Sequence, residues 1–304
     1  MSPSLGLWKD NPTRRKIEEF VKKVTTPGSP DYVPPSDRIA TFDNDGTLWC
    51  EKPAYVQLFF GIQRLKQIAK INPSYLDHPN YRAAVNDDLS YFASFYPDHV
   101  GELTKIVFDT HSGMSQPEFL QSASDFLSTA EHPRFKRLFK HLTYQPMVEL
   151  MRYLEAFDFK NYIATAGGMS FVRTVSEEIY GISRERVIGT NVAFDTQISE
   201  EGPVIFRKAG LIDPIADGPG KPVSIELHIG RKPILAAGNA DGDLEMLWYS
   251  QTHHFINLQL LLFHDDEKRE YAYHHGAEKV QKMANDQGWL KISLKNDFLT
   301  IFDV

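Results

Sequence analysis

Between Thr13 and Val24 the apolar residues Ile17, Phe20, Val21 and Val24 recur three and four positions apart, which predicts an amphipathic helix. A Pro-rich connector, TTPGSPDYVPPSD, gives way to the short apolar run of RIATFD, a predicted buried strand. From Tyr55 to His141 the signals are almost all helical. YVQLFFGIQRLKQIAKI carries an apolar stripe, and NPSYLDHPNYRAAVNDDLSYFASFY opens on an Asn-Pro turn before further helix. SQPEFLQSASDFLSTA begins with Ser115, Pro117 and Glu118, the pattern of a capped helix start. No strand is predicted in this block.

Beyond it, strand and helix alternate. MVELMRYLEAF reads as helix, KNYIATAGG as strand, FVRTVSEEIYGI as one helix stopped by Gly181, and RVIGTNVAFD as strand. TQISEEGPVIFRK suggests a hairpin turning at Glu201-Gly202. KPVSIELHIG is a helix ended by Gly230, KPILAAG a strand, GDLEMLWYS a helix, and HHFINLQLLLF holds one or two short strands. Such alternation implies an α/β core with a parallel sheet and helices on both faces. The helical block interrupts it, so the expected layout is a core of residues 1–54 and 146–304 with an inserted helical domain at 55–145.

Composition narrows the function classes. The 304 residues suffice for two domains, and 42% hydrophobic with 24% charged content is ordinary for a globular protein with a sizeable core. The net charge of −7 argues against a general nucleic-acid binder, which needs clustered Lys and Arg. The single cysteine, Cys50, excludes an internal disulfide and a Cys-based zinc site. No stretch reaches the roughly 20 apolar residues that span a bilayer. The start, MSPSLGLWKDNPTRRK, lacks an apolar signal core. The expectation is a cytoplasmic protein without membrane contact, or a periplasmic one if a leader has been removed.

Three apolar runs end in polar residues: IATFDNDGT, YIATAGG and ILAAGNADGD. In an open parallel sheet, ligands collect outside the carboxyl ends of the strands. If these strands are neighbours, Asp43, Asp45, Thr165, Asn239, Asp241 and Asp243 converge. Asp and Asn also cap helices and shape turns, which is the ordinary reason for any one of them alone. Crowded carboxylates repel unless a cation joins them. A hard, oxygen-seeking ion such as Mg²⁺ meets that need with one or two carboxylates and several waters.

Asp43-Asn44-Asp45-Gly46-Thr47-Leu48 resembles the first motif of the haloacid dehalogenase (HAD) superfamily, whose phosphatases carry Asp-x-Asp-Gly-Thr after the first strand. Thr165 is similar to the second motif, Lys221 in DGPGKPVSIEL to the third, and GNADGDLEML to the fourth. The resemblance covers roughly residues 37 to 265, and the layout is similar to the phosphoserine-phosphatase-like branch. LLFHDDEKREYAY also looks like a feature of uncharacterised phosphatase-like members, a less specific match. The resemblance implies a Rossmann-like HAD core with a parallel sheet flanked by helices and an inserted α-helical (C1-type) cap. It implies Mg²⁺-dependent hydrolysis of a small phosphorylated metabolite through an aspartyl-phosphate. Asp43 would be the nucleophile, Asp45 the general acid and base, Thr165 a phosphoryl contact, and Lys221 the charge that offsets phosphate. Asp45 separates this pattern from the dehalogenase branch, which lacks a second aspartate there. Asp43, Asp45 through its carbonyl, and the fourth-motif loop would hold the metal. That motif usually begins Gly-Asp, whereas here it is Gly238-Asn239. Either Asn239 ligates with Asp243 in support, the preferred reading, or Asp241 takes over. The same site could instead transfer phosphate to an acceptor alcohol, or bind a phospho-ligand with weak catalysis.

Other features read as structural. His253-His254 and His274-His275, if in strands, point to opposite faces and suit no shared ion. His264-Asp265-Asp266 follows a predicted strand and is a candidate for the active-site rim, though more simply a solvated turn. Ser170 and Ser224 lack a nucleophile-elbow pattern, and no Gly-Lys-Ser/Thr follows Gly167-Gly168, which sets aside a P-loop. Trp49, Tyr55, Phe59 and Phe60 are a candidate substrate platform, though more simply core aromatics. Glu51, Lys52, Arg64 and His111 are candidate substrate contacts, each more simply structural.

Overall fold

The computed structural model describes residues 3–88, 91 and 106–303. The strands are β1 (Ile39–Phe42), β2 (Lys160–Gly168), β3 (Val187–Ser199), β4 (Gly202–Ile212), β5 (Leu235–Gly238), β6 (Leu258–Asp265), β7 (Ala272–Tyr273) and β8 (Leu290–Ser293). They form one sheet in the order β4-β3-β2-β1-β5-β6-β7, with β8 also on β6. The pairings from β3 to β6, and of β8 with β6, are parallel; β4 and β7 run antiparallel to β3 and β6. This is the Rossmann-like α/β core expected from the sequence. The strand order reverses at β1, which lies between β2 and β5, so the crevice at its carboxyl end is where such a sheet binds ligands.

Alternating residues of the central strands feed two cores. Ala40, Phe42, Leu235 and Ala237 pack on one face with helices α1 (Pro12–Thr25) and Gln145–Glu155. Ala236, Ala164, Ile188 and Leu261 pack on the other with Ile225, Met246 and Leu247. The four apolar positions of α1 are all buried, and Asn11 caps its start by accepting from the Arg14 N–H. Two details differ from expectation. The segment FVRTVSEEIYGI is two short helices, Met169–Arg173 and Ser176–Tyr180, interrupted at Thr174-Val175. His253-His254 lie outside any strand, and their rings stack 4.6 Å apart instead of pointing to opposite faces.

The described part of the segment between β1 and β2 is helical. It contains α2 (Val56–Ile71), α3 (Pro79–Val85) and α4 (Gln116–Thr129). The part of NPSYLDHPNYRAAVNDDLSYFASFY from residue 89 onward lies, Tyr91 apart, outside the described residues. The capped start is as expected: Ser115 accepts from the Glu118 N–H, and Glu118 accepts from the Ser115 N–H. Chain exit and return are adjacent, since Cys50 N–H donates to Leu142 O and Tyr144 N–H to Leu48 O. One support was not foreseen. The β3–β4 hairpin props the helical block: the buried Arg207 guanidinium sits 3.7 Å from the Phe119 ring centroid and donates to Gln116 Oε1.

The aromatic residues here are mostly core. Trp49, Phe60, Phe119, Phe126, Phe139 and Phe171 form one buried cluster. His111, a candidate substrate contact, belongs to it instead: it is fully buried and stacks on Phe60 at 4.2 Å. Burial, then Arg207 and Arg64, pushes its pKa down to about 3, so the ring stays neutral. Phe60 touches four of these rings. Phe60→Ala is therefore expected to cost about 3–5 kcal/mol, read by urea denaturation. A loss below about 1 kcal/mol would mean that the cluster does not hold the helical block.

Candidate active site

Asp43 follows directly on β1; its N–H donates to Ala237 O and so fixes the start of the turn against β5. The turn is tight: Asn44 O accepts from the N–H groups of Thr47, Leu48 and Trp49. Gly46 takes the left-handed conformation at φ 78°, which favours glycine. Tyr180 donates to Asn44 Oδ1 at 2.9 Å, and Trp49 Nε1 donates to Asp45 Oδ1 at 2.9 Å. The turn is thus held by the distant Tyr180 at Asn44 and, within the loop, by Trp49 at the Asp45 carboxylate.

Lys221 enters from the first turn of the helix Gly220–Ile229. It is buried, and its Nζ donates to Asp43 Oδ1 at 2.6 Å, to Asp243 Oδ1 at 2.6 Å and to Ala164 O at 2.9 Å. Burial works against the ammonium, but Asp243 and Asp43 outweigh it and its pKa is raised. Gly220 permits this approach, because a Cβ there would meet Ile215 O at 1.8 Å. Asp243 also closes its own loop, accepting from the N–H groups of Asn239 and Ala240 at 2.9 and 3.1 Å.

The protonation balance follows from burial. Asp43 is pushed well above the usual carboxylate range, first by burial and then by Asp243, with Lys221 opposing. Asp45 is raised to about 6, chiefly by burial, with the Trp49 hydrogen bond opposing and Glu51 adding to the rise.

Most of the expected residues come together. Asp43, Asp45, Lys221 and Asp243 line a cavity of about 160 Å³, joined by Ala166 and Gly167 from the end of β2. Thr165 lies just beneath: its hydroxyl accepts from the Gly167 N–H at 3.0 Å, and a Cβ on Gly167 would be 3.2 Å from that oxygen. Asn239 is buried beside the loop, accepting from the Thr47 hydroxyl at 3.2 Å. Asp241 is placed elsewhere. Its Oδ1 accepts from the Val280 N–H at 2.9 Å and its own N–H donates to Gly276 O, so it serves the helix Glu278–Gln287. Asn239 and Asp243 thus lie in one loop, joined by the Asn239 N–H to Asp243 Oδ2 bond, whereas the Asp241 side chain turns to another helix.

Two residues of the cavity went unassigned in the sequence, and a third was read only as a candidate substrate contact. Gln57, in the first turn of α2, accepts from the Gly168 N–H at 2.7 Å. Asp217 precedes Lys221 and abuts Gly242. Glu51, read as a possible cap contact, lies 5% exposed in the catalytic loop itself. The only available signal for Gln57 was a polar residue on the apolar stripe of α2.

Among the described residues, no three His, Cys, Asp or Glu side chains form a ready cage for a metal. Mg²⁺ needs none, because it keeps several waters and takes one or two carboxylates. The cavity does show a deficit of positive charge. Its described lining places Asp43, Asp45, Glu51, Asp217 and Asp243 around the single ammonium of Lys221. That donor set, all oxygen and crowded, fits a hard divalent cation.

No family model and no curated protein matches the sequence. Solved structures do. The chain is similar to a conserved, functionally unknown protein from Anaerococcus prevotii (TM-score 0.63, 16% identity, covering 96% of this chain and 94% of that one). It is also similar to a protein of unknown function from Bordetella pertussis (TM-score 0.54, 15% identity, 85% and 99%). A cytosolic 5'-nucleotidase IIIB bound to cytidine matches at TM-score 0.48 and 13% identity, over 92% of this chain and 84% of that one. The first two likenesses show a fold shared over most of the chain. In fold, the chain is a Rossmann-like α/β protein, with Asp43, Thr165 and Asn239 at or just beyond the carboxyl ends of β1, β2 and β5. Among the described residues, no helix is long and apolar enough to cross a membrane.

The raised Asp45 carries a pH signature. The folded chain protonates it near pH 6, whereas the unfolded value is 3.8. Between these the native state holds the extra proton, so its stabilising contribution is lost as pH rises from about 4 to 6. Asp45→Asn removes that loss. In EDTA its melting temperature relative to wild type is expected to rise between pH 4 and 7. An equal offset at both pH values would refute the reading of Asp45.

Proposed function

We propose that the chain is a phosphohydrolase that cleaves a small phosphomonoester through an aspartyl-phosphate on Asp43, with Mg²⁺ as its metal. The observation that carries this reading is the tie between strands. Lys221 holds Asp43 and Asp243 on one ammonium at the carboxyl ends of β1 and β5, with Asp45 two residues beyond Asp43 in the same cavity. The resemblance of the four motifs gives the order of events.

Asp43 attacks phosphorus, forming an acyl-phosphate bond as the bond to the leaving oxygen breaks. Asp45 gives its proton to that oxygen, so the product leaves as an alcohol. Asp45 then takes a proton from water, whose oxygen attacks phosphorus as the Asp43 bond breaks, releasing inorganic phosphate. A group titrating near 6 is suited to both transfers at neutral pH. Lys221 offsets the charge on Asp43 and the phosphoryl oxygens. Asp43, the Asp45 carbonyl and Asn239, with Asp243 in support, would hold Mg²⁺, which supplies positive charge for a phosphoryl group among carboxylates. Tyr55, Val107 and Phe108 give the cavity an apolar wall for the leaving group. A cavity of about 160 Å³ suits a small metabolite better than a macromolecule or nucleic acid.

The test is hydrolysis of para-nitrophenyl phosphate with Mg²⁺, with EDTA, and by Asp43→Asn. Release is expected only with metal and to fall at least a thousandfold in the variant, as loss of a nucleophile does. Turnover by folded Asp43→Asn at the wild-type rate would sink the mechanism. Added glycerol separates hydrolysis from phosphoryl transfer, which would yield glycerol phosphate.

A further inference from the structure

Position 239 is where the fourth motif departs from its resemblance, placing an uncharged amide where the pattern has a carboxylate. The structure supplies a neighbour. Asn239 Nδ2 donates to Glu51 Oε1 at 3.3 Å, and the Tyr273 hydroxyl donates to the same oxygen at 2.7 Å. Both Asn239 and Glu51 are at least 95% buried, and Glu51 lines the reaction cavity. Their approach depends on Gly46: a Cβ there would lie 2.2 Å from Asn239 Nδ2 and 2.9 Å from Glu51 Cδ. The catalytic loop is therefore cut away where these two side chains meet.

The loop is also held from behind. His264 reads in sequence as part of a solvated turn, but it is buried, with Nε2 2.8 Å from Gly46 O and Nδ1 3.2 Å from Glu270 Oε2. Fully buried Glu270 accepts from Cys50 Sγ and from the Tyr144 hydroxyl. His264, Glu270 and Tyr273 thus come from one segment and reach Gly46, Cys50 and Glu51 in turn. The segment is a brace for the catalytic loop.

An amide donates from one side and accepts on the other, whereas a carboxylate accepts only. Two contacts fix the amide: Nδ2 donates to Glu51, and Oδ1, the atom that can ligate a cation, accepts from the Thr47 hydroxyl at 3.2 Å and keeps a second lone pair. Glu51 also brings a carboxylate next to position 239. We propose that Glu51, held by Tyr273, is a positioning residue of the metal site. It orients the Asn239 oxygen and provides the negative charge that an aspartate at 239 would carry. The proposal rests on the metal-dependent reading given above.

The probe is Mn²⁺ binding to the substrate-free chain, followed by the paramagnetic resonance signal of free Mn²⁺, with circular dichroism to verify folding. Partners behind a metal ligand are typically worth about 10–100-fold in affinity. Glu51→Gln is expected to weaken Mn²⁺ binding by about tenfold or more, and Tyr273→Phe by less in the same direction. Asn239→Asp should tighten binding and, combined with Glu51→Gln, restore it toward wild type. The double variant is the readout that a merely structural role would not move. Wild-type affinity in folded Glu51→Gln, or a raised KM there with unchanged Mn²⁺ binding, would overturn the proposal and leave the phosphohydrolase reading standing. Failure of the double variant to recover would overturn it too. If Glu51→Gln does not fold, Tyr273→Phe decides: unchanged Mn²⁺ binding overturns the proposal. A wild-type chain that binds no Mn²⁺ and releases no phosphate would instead remove the metal-dependent function on which it rests.

Discussion

One buried ammonium organises the site. Lys221 reaches Asp43 beyond β1, Asp243 beyond β5 and the Ala164 carbonyl of β2 from a single nitrogen. The three motif-bearing strands are therefore joined at their carboxyl ends by charge as well as by the sheet. Breaking a buried ion pair by deleting one partner generally costs about 3–5 kcal/mol, because the remaining charge is left without compensation. Here two carboxylates would be left facing each other. The tie is thus a folding constraint and a reactive arrangement at once.

Its geometry depends on places where side chains are missing. Gly220 allows the helix carrying Lys221 to meet the Ile215 carbonyl, and Gly238 lies where a Cβ would come 2.5 Å from Asp243 Cβ. Gly46 leaves room for Asn239 and Glu51, and Gly242 for Asp217. Backbone and carboxylates can crowd into a small cavity only because these positions carry no Cβ. The cost of the crowding appears as raised protonation of Asp43 and Asp45. Buried carboxylates of this kind are a mark of sites that use them.

The core was legible because its signals are local. The runs ending at Asp43, Thr165 and Gly238 are short, apolar and followed by polar residues, and each sits in a parallel strand beside another. The Ser115 cap is likewise written within four residues. What escaped was set at long range. Tyr273 and Glu51 lie 222 positions apart, and Asn239 and Glu51 188 apart, so no window contains both partners. His264-Asp265-Asp266 has the polarity of a turn, and only the fold buries the imidazole against Gly46. Asp241 and Asp243 are indistinguishable in GNADGD; the helix that claims Asp241 begins at Glu278. Thr174-Val175 carries no Gly or Pro to announce the break in its helix.

The charge arithmetic also separates the two aspartates of the catalytic loop. A nucleophile must be ionised and an acid must hold a proton, so the two need different environments. Asp45, with the Trp49 indole on one oxygen and Glu51 nearby, titrates close to neutral pH without further help. Asp43 is different. Burial and Asp243 raise it, and its one cationic neighbour is shared with Asp243. Lys221 alone leaves Asp43 biased toward its protonated form, opposite to what the proposed attack on phosphorus needs. The cavity that Asp43 shares with Asp45, Glu51, Asp217 and Asp243 has Lys221 as the single ammonium in its described lining, a charge balance that suits a divalent cation. Under the proposed mechanism, the distribution of charge in this chain, as well as the likeness of its motifs, calls for a cation at the site. Under the same proposal, the buried Glu51 carboxylate next to Asn239 stands in for the charge that the amide lacks.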